Sequence, residues 1–283
     1  MNKTSSRNAS IAFKIFAYAL CIFLTVLSIL PFLIMFVNAT RSTIDIQQHA
    51  VSLIPGGYLL KNFDVYTGKT FNPMQGFMNS MIISIGSTAL NIYFSTLTAY
   101  ALVAYNWRAR SAFFSVIMGV MMIPAQVTSI GFYQFMYQIG MVNNFLALIL
   151  PAMAAPATVF FMRQYMVANL PMDLLEAARI DGSREFSTFN RIVLPIMKPA
   201  MATQAIFSFV GSWNALFIPL ILLTSNKNYT MPIMVSLLKG DIYKTEYGAV
   251  YLGLSLTVLP LFVVYFLLSK YIIAGVALGG VKG

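Results

Sequence analysis

Residues 171–200, PMDLLEAARIDGSREFSTFNRIVLPIMKPA, form a polar island in an apolar chain, and four of the protein's eight acidic residues (Asp173, Glu176, Asp181 and Glu185) lie inside it. That concentration places the segment in water rather than in hydrocarbon. Asp173 and Glu176 stand at capping-box spacing, with Asp173 as N-cap of a short helix. Ala177 and Ala178 keep that helix thin, and Gly182 sits where a helix ends in the left-handed conformation. Ser183 is positioned to cap a second helix, whose apolar residues Phe186, Phe189 and Val193 recur at helical spacing. Pro195 and Pro199 mark the start of the apolar segment that follows. Helix, glycine turn and helix, presented between two membrane spans, make the pattern of a lever.

The rest of the chain supplies the membrane. Of 283 residues, 59% are hydrophobic and 9% charged, too apolar for a water-soluble domain. The stretches 15–40, 70–107, 111–162, 199–226 and 247–269 contain no Asp, Glu, Lys or Arg. A spanning helix takes about 20 apolar residues. Four of these stretches therefore hold one helix each, and 111–162 holds two, joined by a turn around Gly140. Six transmembrane helices are predicted, near 14–37, 79–105, 112–136, 145–166, 201–223 and 248–273, in one all-α membrane domain over 1–283 with a cytoplasmic loop over 167–200. Pro124, Pro151 and Pro156 predict kinks in the third and fourth spans, tolerated where neighbouring helices satisfy the freed backbone groups.

Orientation follows from the basic residues. With the N-terminus in the cytoplasm, 12 of the 18 Lys and Arg fall inside and 6 outside, while the acidic residues split evenly. The inner face is then the more basic, as the positive-inside rule requires. Both termini are expected in the cytoplasm, and the first helix is read as an uncleaved span because no small-residue cleavage site follows it. The net charge of +10 is thereby a topology signal, since no interleaved basic and aromatic groove favours a nucleic acid. Cys21, the single cysteine, excludes an intrachain disulfide or a thiolate metal site and is expected as a buried, inert thiol. Thr67-Gly68-Lys69-Thr70 matches the end of a phosphate-binding loop, but Phe63 stands where that loop needs Gly. His49, the only histidine, reads as a solvated side chain.

Glu176-Ala177-Ala178, Asp181-Gly182 and Ile192-Val193-Leu194-Pro195 together resemble the coupling ("EAA") loop of permease subunits in binding-protein-dependent ABC importers. Ile123-Pro124-Ala125-Gln126, Phe160-Phe161-Met162-Arg163-Gln164 and Trp213-Asn214 extend the resemblance to the sugar-importing branch. The match is best to the second permease subunit of maltose-type and oligosaccharide-type systems, from about residue 14 to the C-terminus. This resemblance implies a type I ABC importer permease (MetI-like) fold in the bacterial inner membrane. It implies as partners a homologous second permease subunit, two ATPase subunits that bind the ATP, and an extracellular or periplasmic sugar-binding protein. It further implies that Glu176, Ala177, Ala178, Arg179, Asp181 and Gly182 couple to an ATPase groove, so that ATP-driven closure moves the spans. Asn226, Lys227, Asn228, Tyr229 and Thr230, at the start of the second outer loop, would reach the binding protein, and the tail Gly275–Gly283 would touch the ATPase dimer.

The residues themselves add an exclusion. No acidic or basic residue lies deep in a predicted span, which argues against an ion-coupled carrier. With no nucleotide motif, the energy must come from a partner; no bond chemistry, cofactor or metal is expected of this chain. The spans do hold neutral polar and aromatic groups. Gln126, Trp213 and Asn214 are assigned to the solute pathway, because amide and aromatic walls suit hydroxylated solutes. For each of them, bridging between helices is the alternative role. Permeases for polyamines, phosphate or amino acids would share the loop, although the missing acidic lining disfavours a polyamine. A membrane scaffold without transport is a further alternative.

Overall fold

Hydrocarbon offers the backbone no hydrogen bonds, so each spanning segment has to satisfy its own. The computed structural model describes residues 3–68, 72–239 and 245–280, with side chains at 13–68, 72–124, 126–238 and 245–269; among these residues all regular structure is helical. In chain order the helices are α1 (Lys3–Asn38), α2 (Thr43–Gln48), α3 (Leu59–Thr67), α4 (Pro73–Ala104), α5 (Arg110–Met121) and α6 (Ala125–Gln138). There follow α7 (Leu146–Ile149), a 3-10 turn at Leu150–Met153, α8 (Pro156–Asn169), α9 (Met172–Ile180), α10 (Glu185–Thr188) and a π-turn at Phe189–Val193. The chain continues through α11 (Leu194–Trp213), α12 (Phe217–Leu222), a 3-10 turn at Asn226–Asn228, α13 (Met231–Lys239) and α14 (Tyr247–Gly280).

Among the described residues, five helical runs are long and apolar enough to cross a bilayer: Phe13–Asn38, Pro73–Ala104, Leu146–Asn169, Glu185–Trp213 and Tyr247–Ser269. The third predicted span is not one helix. Over 112–136 the chain forms α5 and α6, bent by 104° at the break. Pro124 lacks an N–H and disfavours helical geometry at Ile123, so α5 stops short of it. The predicted span 201–223 is also displaced: α11 closes at Trp213, and Phe217–Leu222 forms the separate α12. On the other side that helical run reaches back to Glu185, so the second half of the polar island is continuous with a span. The π-turn just ahead of Pro195 loosens the ladder where a proline would otherwise clash with the carbonyl four residues earlier.

The chain divides into two compact units, one of residues 1–69 and 235–256, the other of 70–234 and 257–283. In the first, the guanidinium of the buried Arg41 donates to Asn38 Oδ1 (2.9 Å), to the His49 carbonyl (2.7 Å) and to the Asp45 carbonyl (3.1 Å). Asn62 Nδ2 donates to the carbonyls of Ala39 and Arg41, both at 2.9 Å. Gly248 packs so closely there that a Cβ would lie 2.6 Å from the Arg41 carbonyl oxygen. His49 is exposed, as the sequence implies. Cys21 is exposed too, contrary to the expectation of a buried thiol: the apolar window of α1 buries none of its residues. Lys69 and Thr70, the end of the phosphate-loop look-alike, lie outside the described residues.

In the second unit α4 is the axis. Its buried Ser80, Ser84, Ser87, Asn91 and Ser95 give it a slim face on which neighbouring helices approach closely. Asn91 Nδ2 donates to Ser208 Oγ of α11 at 3.0 Å, and Ser95 Oγ donates to Asn91 Oδ1 at 3.1 Å. The main apolar cluster, which includes Tyr100, Met162, Met166, Leu175, Phe189, Val193 and Met197, joins α4, α8, α9 and α11.

Candidate functional site

The polar island folds as the lever its sequence describes, with different fastenings. α9 begins at Met172 with Pro171 in the N-cap position and no side-chain cap, so Asp173 lies inside the first turn and is not the N-cap. Proline suits the start because its missing N–H would be unpaired there in any case. Ser183 does not cap α10 either; Arg184 holds that position, and Ser183 Oγ accepts instead from Thr188 Oγ1 at 2.9 Å. Gly182 is where the sequence puts it, at φ +77°. The Ser183 N–H donates to the Ala178 carbonyl (2.9 Å) and the Gly182 N–H to the Arg179 carbonyl (3.0 Å), the paired bonds of a Schellman ending.

The lever has two sides. Leu175 is fully buried in the main cluster beside Phe189 and Val193, and Ala178 is buried next to it. Glu176, Ala177, Asp181 and Gly182 are exposed, and so are the apolar Ile180 (86%) and Phe186 (68%). Of the six residues assigned to coupling, Ala178 and Arg179 therefore face the chain's own body and the other four face out.

Arg179 belongs to a network that sequence reasoning missed. Its Nε donates to Glu185 Oε1 at 2.9 Å, the one ion pair among the described residues, and its guanidinium lies 5.3 Å above the Tyr105 ring. Glu185 Oε2 also accepts from Tyr100 Oη at 3.0 Å and from Tyr105 Oη. Burial first, and then the Glu185 hydrogen bond and charge, push the Tyr105 phenol above its usual range and hold it as a neutral donor. One carboxylate thus ties the end of α9 and the start of α10 to the end of α4. The available signal was the Arg179–Glu185 pair bracketing Gly182, but nothing in the pattern points to two tyrosines some 80 residues away.

The segment at 222–231 is anchored in the same way. Asn143, at φ +62°, accepts through Oδ1 from the Thr224 N–H (3.2 Å), the Ser225 N–H (3.1 Å) and Asn228 Nδ2 (3.0 Å). Asn79 Nδ2 donates to the Lys227 and Tyr229 carbonyls at 2.8 and 2.9 Å. Asn226 and Lys227 are exposed, Asn228 and Tyr229 are half-buried, and Thr230 is buried. Of the five residues assigned to a binding protein, only the first two turn fully outward. The centre of the following loop, 240–244, lies outside the described residues, as do residues 281–283 of the tail.

The pathway residues separate. Trp213 is 1% exposed; its Nε1 donates to the Thr257 carbonyl at 2.9 Å, and its ring stacks on Phe209 and meets Phe77 edge-on. Within this chain it bridges helices and leaves no face for a solute. Gln126 and Asn214 are exposed, at the start of α6 and the end of α11. None of the three lines the cavity of about 230 Å³ whose wall includes Ile83, Ser87, Leu148, Ser208 and Ser212.

Comparison with known proteins gives this arrangement a context. Residues 91–277 match the family model described as binding-protein-dependent transport system inner membrane component. The arabinooligosaccharides transport system permease protein AraQ of Halalkalibacterium halodurans is 35% identical over 263 residues, 92% of this chain and 94% of that one. The lactose transport system permease protein LacG of Rhizobium radiobacter is 32% identical over 256 residues, 90% of this chain and 92% of that one. A chain from the crystal structure of a bacterial ABC transporter involved in the import of the acidic polysaccharide alginate has the same fold, with a TM-score of 0.79 at 20% identity, covering 96% of this chain and 99% of that chain. An all-helical membrane body with a two-sided lever and a match across most of its length has one family assignment: the chain belongs to the binding-protein-dependent transport system inner membrane components.

Proposed function

We propose that this protein is a transmembrane permease subunit of an ATP-driven carbohydrate importer, in the bacterial inner membrane with both termini cytoplasmic. It forms half of a translocation pathway with a homologous permease, couples to two ATPase subunits, and receives solute from a sugar-binding protein. It catalyses no bond chemistry itself. The observation that carries the reading is the two-sided lever: Leu175 and Phe189 are locked into the bundle, while Glu176, Ile180 and Phe186 stand uncovered for a partner. Oligosaccharide and lactose permeases among the relatives support a carbohydrate solute, and the serine hydroxyls of the cavity between α4 and α11 suit one. Closure of the ATPases would move α9. Glu185 would pass that motion to α4, and the π-turn would pass it to α11, shifting the two helices that wall the cavity. Asn226 and Lys227 are the residues of the outer loop placed to meet the binding protein.

The test is reconstitution of the four-subunit transporter in proteoliposomes with its binding protein. ATP hydrolysis should rise when the binding protein carries a neutral oligosaccharide, and that sugar should accumulate inside. Equal stimulation by every unloaded or loaded binding protein, or uptake without ATP, would refute the reading. Glu185→Ala should lower uptake about tenfold while the ATPase subunits still co-purify. Its stability cost should be modest, about 1–2 kcal/mol, because the pair with Arg179 is partly exposed and screened. Glu185→Gln keeps an acceptor for the two phenols and should lose less.

A further inference from the structure

Between α4 and α5 the chain turns through a hollow of about 450 Å³ lined by Asn106, Trp107, Arg108, Arg110 and Ser111. Arg108 makes no hydrogen bond or ion pair among the described residues, and Arg110 spends one N–H on the Tyr105 carbonyl at 3.3 Å. Two guanidinium groups with free donors therefore share one pocket with an amide and a hydroxyl and no carboxylate. That donor set fits a phosphate, which guanidinium groups bind through paired hydrogen bonds.

The helix leaving the pocket shows what carries the phosphate. α5 buries no residue, and Phe113 (45%), Val116 (62%) and Val120 (46% exposed) line one face, starting at the pocket. About 100° round the helix, Phe114 stacks on Phe160 of α8 and receives Arg163 above its ring at 4.2 Å. The packed face is thus used within the chain, whereas the Phe113–Val120 face is an apolar track starting at a cationic head site. Trp107 closes the join, its ring 5.9 Å from that of Phe113, and tryptophan is a residue type enriched at headgroup level. We propose that this pocket and track bind an anionic phospholipid, with the phosphodiester on Arg108 and Arg110 and an acyl chain along Phe113, Val116 and Val120. Lipid chemistry of this kind follows from basic pockets beside spanning helices and does not depend on which solute is carried.

Native mass spectrometry of the purified, assembled transporter tests it. Long-chain phosphatidylglycerol should be retained at least about tenfold more than phosphatidylcholine of the same chain length, a difference of roughly 1.4 kcal/mol. The Arg108→Gln/Arg110→Gln variant should lose that preference, and the Arg108→Lys/Arg110→Lys variant should keep most of it. A charge-matched control, Lys14→Gln/Lys198→Gln, should behave as the parent. Two arms need only the parent protein: glycerophosphoglycerol without acyl chains, and inorganic phosphate, should each displace the long-chain lipid poorly. Displacement by either at equal concentration would overturn the lipid assignment in favour of a free-anion site. Equal retention of the two lipids, or a preference unchanged in the glutamine variant, would overturn the site itself.

Discussion

Gly182→Pro is expected to abolish stimulation of ATP hydrolysis by the loaded binding protein, while the spans still insert and the chain still purifies. Proline fixes φ near −65°, and residue 182 needs +77°. It also removes the N–H that closes α9 on the Arg179 carbonyl at 3.0 Å. The turn has to re-form with another exit angle, at a cost of about 3 kcal/mol or more. Ile180 and Phe186, on either side of it, then no longer present one surface. Gly182→Ala costs only about 1 kcal/mol, the penalty of a Cβ in the left-handed region, and nothing lies within 4 Å of that Cβ. The alanine variant should therefore keep partial stimulation. A proline variant with full stimulation would mean that the exit angle of α9 is irrelevant to coupling.

The largest stability loss is expected for Trp213→Ala, about 3–5 kcal/mol for a buried aromatic truncated to alanine. The substitution removes the stack on Phe209, the edge contact with Phe77 and the donor to the Thr257 carbonyl. Thermal unfolding in detergent should show a clear fall in Tm. Trp213→Phe retains the ring contacts and loses only the hydrogen bond, about 1 kcal/mol. If the alanine variant unfolds within about 1 kcal/mol of the parent, Trp213 faces an open path and not a packed interior. These two substitutions probe opposite ends of one stretch of chain: the turn that precedes the run Glu185–Trp213, and the packed residue that closes it.

The spans and the lever were legible because hydrocarbon and water sort residues coarsely, and the gaps in charge record that sorting. Gly182 was legible for a sharper reason, since only a left-handed exit explains a glycine between two short helices. The details that failed share a cause. Asp173 and Ser183 have the chemistry of caps, but the burial of Leu175 fixes where α9 starts, and the Schellman bonds fix how it ends. Tertiary packing outweighed local propensity. Glu185 with Tyr100 and Tyr105, and Asn143 with the 222–231 segment, join residues about 80 positions apart, and no periodicity records such a pairing. Trp213 shows the opposite limit: its residue type suits a sugar as well as it suits an interior, and only its surroundings decide.

The corner at Pro124 carries a requirement of its own. α6 starts there without a side-chain cap, yet the Val127 N–H donates to the Pro124 carbonyl at 3.0 Å. The proline that stops α5 therefore also supplies the opening acceptor of α6. Another residue at 124 would let α5 run on, and the 104° elbow would lose the group that fixes its place.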